Sequence, residues 1–237
     1  MAQKSISSFT GLIRKKKASY EYKIMITKGG RTTLDESYNR LKDNLLYLGM
    51  NGVKTVQVEA SIPGEGKTTT VCNLGVSLSF NDKKVVIVDL DFRRPKVSAV
   101  FSVDEAVGIG DYVSGAVSSE DIIKTTEYGV DVITRGKEIR NASLVLDSEK
   151  MSNLIAELKE KYDFVLLDCP PVLLTSDYMH IARFADGILL TVAANFTKRS
   201  AVKDAVSLLQ RVNVPILGTA MTMVSPDAVQ YGYESDL

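Results

Sequence analysis

A doubly wound, mostly parallel α/β sheet with helices on both faces is the fold class this sequence predicts, from three observations. Short β-branched runs alternate with longer amphipathic stretches, two of the runs are apolar throughout, and a glycine-punctuated loop joins one strand to the following helix. In chain order, strands are predicted at 55–59, 84–88, 130–134, 164–167, 187–192 and 216–221. Helices are predicted at 67–80, 148–161, 177–185 and 198–212, where apolar residues recur at helical spacing instead of alternating. Val85-Val86-Ile87-Val88 and Phe164-Val165-Leu166-Leu167 are apolar at every position, as expected of central strands buried on both faces. Periodicity is lost at both ends. The expected division is therefore a basic N-terminal arm over 1–33, one domain over 34–223, and a polar tail carrying tyrosines over 224–237.

Composition narrows the class of protein. Hydrophobic residues at 45% and charged residues at 24% lie near globular averages, which excludes a disordered chain, a collagen-like repeat and a disulfide scaffold. The 29 basic residues balance 29 acidic ones, so overall charge gives no reason to expect a nucleic-acid partner. Two cysteines, Cys72 and Cys169, with no signal peptide ahead of them, fit a reducing cytoplasm. No window approaches the roughly 18–20 apolar residues of a spanning helix, so membrane association is expected to be peripheral or through a partner.

The segment Ser61-Ile62-Pro63-Gly64-Glu65-Gly66-Lys67-Thr68-Thr69 follows a predicted strand and opens a predicted helix, the context a phosphate-binding P-loop requires. Gly64 and Gly66 let backbone N–H groups turn inward around an anion, and the helix N-terminus adds positive potential. Lys67 can reach the outer phosphates and the Thr68 hydroxyl can ligate Mg²⁺. Ser61 stands in place of the usual first glycine, and by itself such a loop could be no more than a turn. Asp89 and Asp91 follow one buried strand and Asp168 follows another, at the carboxyl edge where open α/β sheets bind ligands. Carboxylates there can hold Mg²⁺ or accept a proton from an attacking hydroxyl. A single aspartate in such a place is more commonly a cap or turn residue; three of them beside a P-loop point to a site.

The P-loop at 61–69, Asp89-Leu90-Asp91-Phe92-Arg93-Arg94-Pro95 and Asp168-Cys169-Pro170-Pro171 together resemble the bacterial tyrosine kinases, cytoplasmic autokinases of capsule and exopolysaccharide assembly within the P-loop NTPases. The likeness runs from about Glu36 onward and includes Asn141-Ala142-Ser143-Leu144-Val145-Leu146. By that resemblance ATP and Mg²⁺ are expected: residues 61 and 63–69 bind the nucleotide, with Lys67 and Thr68 on the phosphates and metal. Asp91 and Asp168 organise the metal, and Asp89 is the base for a tyrosine hydroxyl. The acceptors would be Tyr231 and Tyr233 of a neighbouring subunit, on a glycine-spaced tail that suits entry into another chain's site. The expected partners are a membrane activator of the polysaccharide machinery, a phosphotyrosine phosphatase and further copies of the chain, with recruitment to the inner face of the plasma membrane.

Departures from the family pattern qualify the reading. Ile62 occupies the place of the signature lysine of partition-type ATPases, which argues against that class. The two cysteines are read as structural thiols and His180 as a packed or surface residue. The ring-forming helix motif is represented by Glu36, Asn39 and Lys42, with both family arginines replaced. Thr222 stands where relatives often place an asparagine against the adenine. The arm carries Lys4, Arg14, Lys15, Lys16, Lys17, Lys23, Lys28 and Arg31 against Glu21, a composition that suits either an anionic membrane surface or a solvated tail. A nucleotide-dependent switch or scaffold with little kinase activity is the alternative function, supported by the short tyrosine cluster and the altered helix motif.

Overall fold

The structure is a computed structural model and describes residues 23–225. The elements in order are α1 (Thr33–Gly49), β1 (Thr55–Ala60), α2 (Lys67–Ser79), β2 (Val85–Asp89), α3 (Val97–Phe101), α4 (Ile109–Ser114), β3 (Ile123–Thr125), β4 (Asp131–Ile133), α5 (Ala142–Leu146), α6 (Glu149–Lys161), β5 (Phe164–Asp168), α7 (Asp177–Ala182), β6 (Gly187–Ala193), α8 (Arg199–Leu209) and β7 (Ile216–Thr222). They form a seven-stranded sheet in the order β3-β4-β2-β5-β1-β6-β7. Every neighbouring pair is parallel except β3 with β4. The doubly wound expectation holds, and each of the six predicted strands is present.

Two-sided burial explains the apolar strands. Val85 and Ile87 of β2, and Phe164 and Leu166 of β5, pack into a core shared with α1, α2 and α3. Val86, Val88, Val165 and Leu167 point the other way, into a core with α4 and α6. A third cluster joins Ile188 and Leu190 of β6 to Ala205 and Leu209 of α8. β1 is different: Val56 and Val58 enter the first core, while Thr55, Gln57 and Glu59 on its opposite face are polar and fully buried.

Helix boundaries follow local chemistry. α1 begins with a capping box in which Thr32 accepts from Asp35 N and Asp35 answers with its carboxylate. Ser148 caps α6 by accepting from Met151 N at 3.2 Å. The helix expected over 177–185 stops at Ala182, and Phe184 N and Ala185 N bond back to Ile181 and Ala182 in tighter turns. Periodicity did not reveal α1, α3, α4, α5 or β3; the last four run only three to six residues, too short for a period to register.

Residues 23–31 of the basic arm lie against this body. Ile26 is buried in the first core, Met25 N donates to Asn73 Oδ1 at 2.7 Å and Thr27 N to Asp35 Oδ1 at 2.9 Å. Lys42 on α1 is also buried, with its ammonium on Asn81 Oδ1 at 3.2 Å and Asp43 at 3.0 Å. Glu36 and Asn39 are exposed.

Candidate active site

The P-loop connects β1 to α2 and is shaped by two glycines in the left-handed region, Gly64 at φ 89° and Gly66 at φ 81°. Gly66 is the N-cap of α2 and offers no side-chain cap. The first intrahelical bond closes at Thr70 N to Gly66 O, 2.8 Å, which leaves the amides of Lys67, Thr68 and Thr69 at the positive end of the helix for a phosphate. The ends of the neighbouring strands β6 and β7 border the loop: a Cβ on Gly66 would stand 3.4 Å from the Thr222 side chain, and one on Gly64 3.6 Å from the Phe196 ring.

Asp168, at the end of β5, gathers the reactive groups. It accepts from the Lys67 ammonium and, at 2.8 Å, from the Thr68 hydroxyl. In sheet register it stands beside Asp89 at the end of β2, and both carboxylates are fully buried. Burial and then the neighbouring Asp168 charge push the Asp89 carboxyl up to about 8. Burial also raises Asp91, against the opposing pull of Lys67. Burial by itself would lower the Lys67 pKa, but Asp168 outweighs it and holds the ammonium firmly charged. The Lys67 ammonium and the Thr68 hydroxyl thus meet on Asp168, beside Asp89.

Asp89 also holds backbone in place. Its Oδ1 accepts from Asp91 N at 3.2 Å and its Oδ2 from Lys96 N at 2.9 Å and Val97 N at 3.1 Å, so it organises the turn that leads into α3. Asp91 is part exposed and accepts from Arg94 N at 3.1 Å. The hard oxygens of Thr68, Asp91 and Asp168 suit Mg²⁺. Among the described residues no three His, Cys, Asp or Glu side chains converge as a self-sufficient metal cage, so the remaining ligands would be nucleotide oxygens and water. Ser61, fully buried at the start of the loop, has a hydroxyl with no protein partner.

One further group beside the site, Glu59, was not evident from the motifs. Glu59 lies fully buried under the P-loop, its Oε1 accepting from Gln57 Nε2 at 2.7 Å, and burial lifts its carboxyl to about 8. The signal for it was the alternation of 55–61, with Thr, Gln, Glu and Ser at odd positions and Val, Val and Ala between them. Thr222 donates to Glu65 O at 2.7 Å, so this hydroxyl braces the P-loop. Cys72 and Cys169 are buried free thiols, both pushed up by burial. His180 bonds Asp147 at 2.8 Å on the surface. Tyr231 and Tyr233 lie outside the described residues, and among the described residues no helix is long and apolar enough to cross a membrane.

Comparison with known proteins agrees with this geometry. The AAA domain family matches residues 53–216. The tyrosine-protein kinase YwqD of Bacillus subtilis is 30% identical over 188 residues, covering 78% of this chain and 79% of its own. The tyrosine-protein kinase CpsD of Streptococcus agalactiae is 28% identical over 200 residues, covering 84% and 86%. Among solved structures, the kinase domain of the Escherichia coli tyrosine kinase ETK superposes with a TM-score of 0.75 at 26% identity, covering 80% of this chain and 77% of that one.

Proposed function

The chain belongs to the family of bacterial tyrosine-protein kinases built on this AAA domain, and from that premise we propose that it phosphorylates tail tyrosines of its own kind in trans, using ATP, and so regulates capsular or exopolysaccharide biosynthesis and export. The observation that carries the chemistry is the junction at Asp168, where the Lys67 ammonium and Thr68 hydroxyl meet one carboxylate beside Asp89. The amides of 64–69 bind the outer phosphates, and Lys67 offsets charge on the phosphoryl group in flight. Thr68, Asp91 and Asp168 would hold Mg²⁺, whose contribution is to neutralise phosphate charge. Asp89, in its ionised form, takes the proton as the tyrosine oxygen bonds to phosphorus and the bond to the departing ADP breaks. Tyr231 and Tyr233 are the acceptors.

A membrane activator would recruit the chain to the inner face of the membrane, and a phosphotyrosine phosphatase would reset the tail. One feature favours a second reading, a nucleotide-dependent switch: the ammonium of Lys42, at the last position of the altered helix motif, is engaged within the chain by Asn81 and Asp43. Peptide mapping of the purified chain with and without Mg·ATP, beside Lys67→Met, tests both. Phosphate on Tyr231 or Tyr233 that vanishes in the variant is the expected result. Bound ATP with no phosphate under any condition, activator included, would leave only the switch.

A further inference from the structure

We propose that Glu65 is a positioning residue whose two carboxyl oxygens, as hydrogen-bond acceptors, lock the P-loop into its phosphate-receiving shape by tying Ser61 and Ile62 to Thr197. This rests on reading the loop as the ATP site.

An acidic side chain in a loop made for phosphates needs an explanation, because like charges at short range repel. Glu65 is only 1% exposed, so its charge is not dispersed in solvent. Its Oε2 accepts from Ser61 N at 2.6 Å and from Ile62 N at 3.3 Å, and its Oε1 accepts from the Thr197 hydroxyl. Thr197 is itself held by Ala193 N at 3.2 Å, at the end of β6. The Glu65 carbonyl meanwhile accepts from Thr222 at the end of β7. One residue therefore joins the start of the loop to the ends of two further strands. The positive-φ glycines on either side turn the Glu65 side chain back across the loop. The N–H groups it occupies, at 61 and 62, precede those at the helix start, which stay available for a nucleotide. Removing the side chain leaves those buried donors unpaired, whereas any side chain that keeps an acceptor in place still satisfies them.

The experiment measures Mg·ATP affinity by calorimetry, together with kcat, KM and thermal midpoint, on the full chain and on Glu65→Ala, Glu65→Gln, Thr197→Val and the Glu65→Ala/Thr197→Val pair. Glu65→Ala is expected to weaken ATP by about tenfold or more, and Thr197→Val by roughly threefold. The double variant should be no weaker than Glu65→Ala, since both remove the same bond. Glu65→Gln should restore affinity to within about threefold of the parent, because its carbonyl can still accept from Ser61 and Ile62 while its amide donates to Thr197. A merely structural role would lower the midpoint of Glu65→Ala and leave ATP affinity in place, and that result overturns the proposal. Glu65→Gln binding as poorly as Glu65→Ala also overturns it, because charge and not geometry would then be what the loop needs. If Glu65→Ala does not fold, unchanged affinity in Thr197→Val overturns it. A parent chain that binds no nucleotide at all removes the ATP reading, and the proposal with it.

Discussion

Asp89, proposed above as the base, also organises a backbone turn, and its replacement separates the two roles. Glu or Asp to amide changes keep shape but replace one accepting oxygen with a donor, here facing the N–H groups of Asp91, Lys96 or Val97. Asp89→Asn is therefore expected to lose phosphotyrosine, to keep Mg·ATP binding, and to lose about 1–2 kcal/mol of stability. Undiminished phosphotyrosine in that variant would move the base to Asp91. Glu59 makes a prediction of opposite sign. Its carboxyl moves from 4.5 to about 8 on folding, chiefly through burial. The folded chain keeps this proton between those values while the unfolded chain releases it, so stability is greatest below 4.5 and falls as pH rises towards 8. Glu59→Gln should remove that loss, on the order of 2–3 kcal/mol at pH 7 and almost nothing near pH 4.5. Midpoints of both proteins at pH 5 and pH 7.5 measure it; an equal gap at the two values would show that Glu59 titrates normally. A residual slope of the same sign remains from Asp89, whose carboxyl is also raised to about 8.

At the scale of elements, the closeness of α2 to the sheet decides where the phosphate loop sits. Gly75 makes that approach possible: a Cβ there would stand 2.8 Å from Ile87 Cδ1 and 3.3 Å from its Cγ1. The nearest atom is the end of a flexible side chain, so alanine's clash is partly offset by its better helix propensity. Gly75→Val adds branched bulk that Ile87 and Leu166 cannot both avoid, and is expected to destabilise by about 2 kcal/mol, read as a lower denaturant midpoint. A valine variant as stable as the parent would mean that α2 can lift from the sheet. On the opposite edge, Leu217 lies over Gly187, where a Cβ would meet it at 2.5 Å. The register shift between β6 and β7 falls there, between Ile188 and Leu189.

For the whole molecule, the proposed phosphotransfer in trans has consequences that no single element carries. The described residues contain all seven strands and the P-loop, so a chain ending at residue 225 is expected to fold, bind Mg·ATP and form no tail phosphotyrosine. Mixed with Lys67→Met, the parent chain should phosphorylate the variant's tail, at an initial rate per chain that rises with total concentration. A concentration-independent rate confined to the parent's own tail would establish transfer in cis.

The class of fold, the P-loop and the places of the aspartates were legible in the sequence by itself, because each rests on a local signal. Unbroken apolar runs at 85–88 and 164–167 require burial on both faces, and the glycines and Lys67 are spaced within a single turn. The tertiary structure alone decided which groups touch. Lys67 and Asp168 are 101 positions apart, and Glu65 and Thr197 are 132 apart. Such pairings arise from strand order, which brings β5 and β6 to the two sides of β1, and no spacing along the chain records it. For the same reason Asp89 could be placed at the carboxyl edge of its strand but not seen to organise the 91–97 turn, and Thr222 could be located but not seen to brace Glu65. Motifs identify the chemistry a chain can perform; the buried hydrogen bonds that hold those motifs still exist only once distant strands have met.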